Sequence, residues 1–284
     1  MSHVVTRRAL CAGLATVLLA AAAVGAATLR YTFTAGSELK YRNIIVAEGT
    51  LTVAGPLGAQ PIPVKVNADE TRSLKCLEAA GEGWYWLESK QVKGTYAATV
   101  GGEALGAGAE SMPPLNYKMK MNAKGDVTEL ETIKPAEPNT QASIDLNLGQ
   151  ITALSELTGF PEGDVAAGAT WDKEIPIKTK DGKTLTAKVN NKLISVNDTE
   201  AKIATTYDMP IPPTEGTLKM GMDIPIKIEG RAAGTSVVIW DLAKSCVKRS
   251  DGNATLDIKL YLAGLSAEPA VGKFQTVIKG ELTQ

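Results

Sequence analysis

Apolar and polar residues alternate along most of this 284-residue chain. In the stretch from Pro61 to Leu77, Ile62, Val64, Val66 and Ala68 are separated by polar residues or proline, the period-two pattern of a strand with one wet face. A longer alternation runs from Leu218 to Glu229, with Leu218, Met220, Met222, Ile224, Ile226 and Ile228 on one face, and it predicts one continuous strand. Pro225 lies within it and cannot donate to a ladder, so an edge or a bulge is expected there. Further strands are predicted at Leu39 to Val46, Trp84 to Val92, Asn116 to Met121, Val127 to Ile133, Trp171 to Lys178, Leu185 to Val196 and Ala201 to Met209. Four more between Ser236 and Leu282 bring the total to about a dozen. Hairpins are expected across Asn122-Ala123-Lys124-Gly125-Asp126 and Lys180-Asp181-Gly182-Lys183, whose glycines suit positive-φ turn positions. Gly101 to Pro114, rich in Gly and Ala, reads as a loop.

One stretch departs from the period of two. Leu148, Ile151, Leu154 and Leu157 recur at helical spacing, Gly159 stands where a C-terminal cap belongs, and Pro161 follows. The chain therefore divides into a first β half at 28–138, a linker with a helix at 139–170, and a second β half at 171–284. The halves resemble each other. Phe33-Thr34-Ala35-Gly36 before Leu39 matches Val165-Ala166-Ala167-Gly168 before Trp171, and Ala123-Lys124 with Val127 matches Ala243-Lys244 with Val247. The expected fold is all-β and antiparallel, one or more curved sheets or a partly open barrel built by internal duplication, with one central helix covering the concave side.

Met1 to Ala27 changes the setting in which this fold is placed. Arg7 and Arg8 precede an apolar run to Ala23 and small residues up to Ala27, the three parts of an export signal at 1–27. Periplasmic, surface or extracellular localisation is expected, with a retained N-terminal anchor as the alternative. Lys and Arg number 30 against 31 Asp and Glu, a net charge of −1 spread along the chain, which argues against a nucleic-acid partner. The single histidine, His3, lies inside the signal, so the rest of the chain offers no imidazole for a nucleophile triad or a zinc site. No catalytic, cofactor-binding or metal-ligating residue is assigned, and no cofactor is expected.

Carboxylate chemistry needs only two acids at the right separation, and Glu78, Glu82, Glu88, Asp172, Glu174 and Asp241 lie beside aromatics or turns. No pair stands out among them. Trp84 and Trp86 share one face of a strand, where they would form a core wall or a stacking platform. The methionines at Met119, Met121, Met220 and Met222 form two stripes suited to filling a core or lining an adaptable pocket. Cys76 and Cys246, in different halves, are candidates for a disulfide if their Cα atoms lie close enough.

Phe160-Pro161 followed by Val165-Ala166-Ala167-Gly168-Ala169-Thr170-Trp171, and the later Trp240-Asp241-Leu242-Ala243-Lys244, resemble a family of secreted bacterial proteins of unknown function with the same mid-chain Pro, Val, Gly, Trp pattern. The resemblance brings no catalytic residue. In architecture alone the chain is similar to periplasmic lipoprotein carriers, which implies a curved sheet over an apolar cavity. The expected function is that of an exported, non-enzymatic cell-envelope protein binding a lipid or other apolar small molecule, or an envelope protein. Leu148, Ile151, Leu154, Met220, Met222, Trp84 and Trp86 are the candidate lining residues. The alternatives are a carboxylate-dependent hydrolase of envelope polysaccharide and a purely structural envelope component.

Overall fold

The computed structural model describes residues 26–55, 58–104, 116–133, 144–145, 159–178, 184–219, 223–262 and 268–284. Their strands are β1 (Ala26–Thr28), β2 (Glu38–Gly55), β3 (Gly58–Ala79), β4 (Trp84–Val100), β5 (Glu103–Ala104), β6 (Asn116–Asn122), β7 (Val127–Ile133), β8 (Ile144–Asp145), β9 (Asp164–Ala166), β10 (Thr170–Lys178), β11 (Thr184–Val196), β12 (Glu200–Lys219), β13 (Asp223–Asp241), β14 (Cys246–Leu262) and β15 (Ala270–Leu282). Eleven of them form one antiparallel path, β10-β11-β12-β13-β14-β15-β2-β3-β4-β6-β7, with β5 added on β4 and β8 on β12. A separate ribbon pairs β1 with β9. The second half of the chain thus lies beside the first in a single sheet, and the join is the pairing of β15 with β2.

Alternation gives this sheet two unlike faces. Outward positions carry cross-strand ion pairs, among them Arg42 with Asp69 at 2.6 Å, Lys248 with Glu200 at 2.5 Å, and Arg231 with Asp208. Each is exposed and screened by solvent, so each adds little to stability, but together they keep that face in water. Inward positions are mainly apolar, and at one end the two flanks curl together over a shared core. Cys76, Leu87, Met119 and Met121 come from β3, β4 and β6, and Leu193, Ile203, Val238 and Trp240 from β11, β12 and β13. Leu29, Tyr31 and Phe160, from outside the long strands, fill the centre. Tyr31 and Phe160 meet Trp240 edge-on, with ring centroids 4.8 and 4.6 Å away.

Among the described residues the sheet does not close into a barrel, because edge strands β7 and β10 are not paired to each other. Their near ends are strapped together instead through the turn between β6 and β7. Phe160 N donates to Lys124 O at 2.9 Å and Tyr31 N to Ala123 O at 2.8 Å. Lys173 of β10 donates to Gly125 O at 2.7 Å and pairs with Asp126 at 3.0 Å. Burial alone would push Asp126 upward, but hydrogen bonds from Asn122 and Lys173 outweigh it and hold its carboxyl below the ordinary value of 3.8. Lys173 is itself pushed downward, by burial first, with Asp126 offsetting only part, so the strength of the pair is better read from Asp126.

A carboxyl held lower in the folded chain contributes stability that is complete above its ordinary value and is lost as pH falls through the folded one. Urea midpoints should therefore decline below about pH 4. Asp126→Asn should reduce that decline and cost on the order of 1 kcal/mol at neutral pH, since the acid is 42% exposed and partly screened. An unchanged acid limb in the variant would remove the strap from the account.

Several expectations are corrected here. Among the described residues there is no helix, and the helix expected over Leu148 to Leu157 lies outside them. Gly159 does not have the positive φ of a left-handed cap. Its carbonyl accepts from Trp171 Nε1 at 2.7 Å, and the Lys173 side chain occupies the space a Cβ would need. The run from Leu218 to Glu229 is not one strand but the two arms of a hairpin, with Leu218 opposite Ile224. A period of two survives chain reversal when the residues between the arms leave both facing inward, so alternation alone could not show the turn. Among the described residues Pro225 lies one residue beyond the last pairing of β13 with β14.

Part of the Gly/Ala loop, Glu103–Ala104, forms β5. The export signal lies outside the described residues except for its last two. Those two, Ala26 and Ala27, belong to β1, so a cut after Ala27 would remove two of its three residues.

The paired motifs at Gly36 and Gly168 make the same bonds. Gly36 N donates to Cys76 O and Cys76 N to Ser37 O, while Gly168 N donates to Leu193 O and Leu193 N to Ala169 O. Both glycines take the positive φ that this corner into β2 or β10 requires.

Candidate apolar cavity

Above the shared core the flanks diverge, and between them lies a cavity of about 210 Å³. Its apolar wall includes Ile45 of β2, Ile175 of β10, Val189 of β11, Met209 of β12, Val238 of β13 and Ile278 of β15. The volume is modest beside the roughly 300–1,000 Å³ of most ligand sites. The same face, however, continues past the cavity along the long strands. Val64 and Val66 of β3, Leu51 of β2, Leu256 and Ile258 of β14 and Phe274 of β15 share its parity and are only half-buried. Ordinarily such side chains would be covered, since each left half-open forgoes part of the roughly 1.5–3 kcal/mol that full burial contributes.

Polar side chains collect where the cavity meets the core. On one flank Arg72 of β3, only 4% exposed, donates from Nε and Nη2 to Ser89 Oγ of β4 at 3.3 and 3.1 Å. Glu70 stands 3.5 Å from Nη1, and the guanidinium carbon lies 5.3 Å from the centre of the Tyr117 ring. On the opposite flank Thr205 of β12 lines the cavity and donates from Oγ1 at 2.8 Å to Asn191 of β11, which is 2% exposed and lies behind the lining. Its Nδ2 has no partner among the described residues. Asn43, Ser236 and Ser250 add polar atoms between the flanks, and burial raises the Tyr207 phenol above its ordinary value, so it stays neutral.

The candidate residues from the sequence fall elsewhere. Trp84 and Trp86 share a face of β4, but Tyr85, Leu87 and Ser89 take the inward positions. Both tryptophans are half-buried on the outer face, where Lys118 covers the Trp86 ring at 4.4 Å, so they line neither core nor cavity. Leu148, Ile151, Leu154, Met220 and Met222 lie outside the described residues. Met119 lines the cavity at its base, and Met121 is buried in the core. Of the six acids considered, none lines the cavity; Glu78, Glu82, Asp172 and Glu174 are exposed, Glu88 pairs with Lys90 at 2.8 Å, and Asp241 caps Lys244 N. Among the described residues no cluster of three or more His, Cys, Asp or Glu could hold a metal ion.

The disulfide is also corrected, since Cys76 and Cys246 are both free and buried. Their strands, β3 and β14, are separated by β15 and β2, three strand spacings or about 14 Å along the sheet, against the roughly 7 Å a bridge tolerates. Burial raises both thiols, and the nearby Asp241 raises Cys246 further, which keeps them protonated and unreactive. Alkylation without reductant should therefore label both in denaturant and neither in the native protein. A pair that becomes available only after reduction would contradict this arrangement.

Sequence reasoning missed Arg72 and Asn191. The signal for Arg72 was present, because it continues the even-numbered inward positions that begin at Ile62, and a charge on that face is out of place. Asn191 carried no comparable mark.

No family model matches the sequence, and none of the curated proteins compared with it does. Among solved structures the chain is similar to lipovitellin, in a structure described as showing lipid–protein interactions in that protein, with a TM-score of 0.51 and 9% identity. The match covers 89% of this chain and 26% of lipovitellin, so the chain spans about a quarter of that protein's length. At this identity the likeness is one of fold.

Proposed function

We propose that the protein is a non-enzymatic, exported carrier that holds an elongated apolar ligand, such as a lipid, against the concave face of its sheet. One observation carries this: the inward face is mainly apolar along its length, yet beyond the core it stays half-buried around a cavity. A structural component would gain stability by filling that space, whereas a carrier must keep it available. The lipovitellin likeness supports the reading, because that fold is described with lipid.

The test is a titration of protein stripped by unfolding and refolding with a neutral, environment-sensitive apolar probe such as N-phenylnaphthylamine. Saturable binding near one probe per chain, with the blue shift of a dry site, is expected. Emission that rises linearly without saturating would count against the carrier.

A further inference from the structure

Small residues on adjacent strands make the floor of the cavity. Ser236 of β13 stands opposite Gly252 of β14, and Ser250 of β14 opposite Gly280 of β15, which in turn stands opposite Asn43 of β2; all five line the cavity. Gly280 lies inside β15 without the positive φ of a turn, so its backbone does not call for glycine. A Cβ on it would come within 2.7 Å of Ser250 Oγ and 3.1 Å of Asn43 Oδ1. The glycine thus leaves two side-chain oxygens bordering one gap that opens into the cavity. Asn43 Nδ2 faces Glu70 Oε1 at 3.5 Å, which turns the amide oxygen toward the gap. A ligand atom placed there meets a serine hydroxyl, which donates or accepts, and an amide oxygen, which only accepts. A hydroxyl, able to accept from one and donate to the other, satisfies both. Charge finds no matching place. Arg72 is already engaged by Ser89, the Tyr117 ring and Glu70, and an anion beside Asn43 would stand close to the Glu70 acid.

We propose that the carried ligand is an uncharged lipid with a free hydroxyl at its head. The hydroxyl lies over Gly280, accepting from Ser250 and donating to Asn43 Oδ1, and the chain leaves along the neighbouring Ile278 and Ile45. This rests on the carrier reading, and the experiment separates the two. Dodecanol and 1-methoxydodecane share a chain and a head oxygen, but only the alcohol can donate. Both compete for the neutral probe on the wild-type protein at pH 8, with laurate as the charged comparison. Dodecanol should displace the probe about fivefold more effectively than the ether, the factor expected for one neutral hydrogen bond, and more effectively than laurate.

In Asn43→Leu the advantage of the alcohol should disappear while the ether binds as before, and circular dichroism reports whether the fold persists. Ser250→Ala removes a donor that both head oxygens use, so it should weaken alcohol and ether by the same factor. Equal displacement by alcohol and ether on the wild type would overturn the hydroxyl assignment and leave the carrier standing. So would tighter binding of laurate than of dodecanol. A folded Asn43→Leu protein that keeps the advantage would overturn the seat over Gly280. Should that variant fail to fold, Ser250→Ala decides the seat, and binding of both ligands unchanged in it would overturn the proposal. Failure of the probe itself to bind would overturn the carrier.

Discussion

Trp240→Ala should lower the unfolding free energy by about 3–5 kcal/mol, the range for deleting a large aromatic from a packed core. Trp240 is 1% exposed and stands at the centre of the core that closes one end of the sheet. The loss extends beyond its own strand. Tyr31 and Phe160 pack edge-on against the indole and belong to the segments that tie the turn between β6 and β7 to the rest. Removing the ring leaves a cavity under both and loosens the strap across the open side. Urea denaturation checks it, with Val277→Ala on the exposed outer face as the reference, expected within about 0.5 kcal/mol of wild type. A Trp240→Ala loss below about 1 kcal/mol would mean that the flanks are not held together here.

Ser250→Trp should abolish binding of the apolar probe while leaving the fold nearly as stable as before. Ser250 of β14 lines the cavity beside Gly280, so an indole built there points into the open volume. The stability result separates an empty site from a filled one. If the volume is open, the new ring gains burial and the cost stays under about 1 kcal/mol; if it is already packed, the strain of overfilling reaches about 1–3 kcal/mol. Val277→Trp, on the outer face, should leave probe binding unchanged. Retained probe binding in a folded Ser250→Trp protein would place the ligand elsewhere.

Much of the fold was legible in the sequence because period-two alternation reports directly which side of a strand is wet. It located most of the strands and both hairpin arms around Asn122 to Asp126, and it showed a sheet with one apolar face. What it could not show was length. The strand expected over Leu39 to Val46 stops short of Gly49, and no expected strand runs through Gly230 or Gly234. In the structure they lie inside unbroken strands, where neighbouring backbone or the Phe274 and Tyr207 rings fill the space of a Cβ. A glycine tolerated for close packing and one needed for a turn look the same in sequence.

The site was less legible for a related reason. Trp84 and Trp86 drew attention by size, but the face they occupy was decided by the register of β4 on β6, which sequence does not fix. The polar residues that line the cavity come from strands far apart in the chain, Arg72 on β3 and Thr205 on β12, and only the curl of the sheet brings them to one place.

The central claim is that this concave face exists to hold an apolar ligand. It is tested most directly by mass spectrometry, under native conditions, of the protein purified from its own source, followed by solvent extraction. The account expects a stoichiometric adduct that the solvent removes and that carries a long hydrocarbon chain. A bare chain mass with nothing extractable, from protein never exposed to denaturant or detergent, would contradict it.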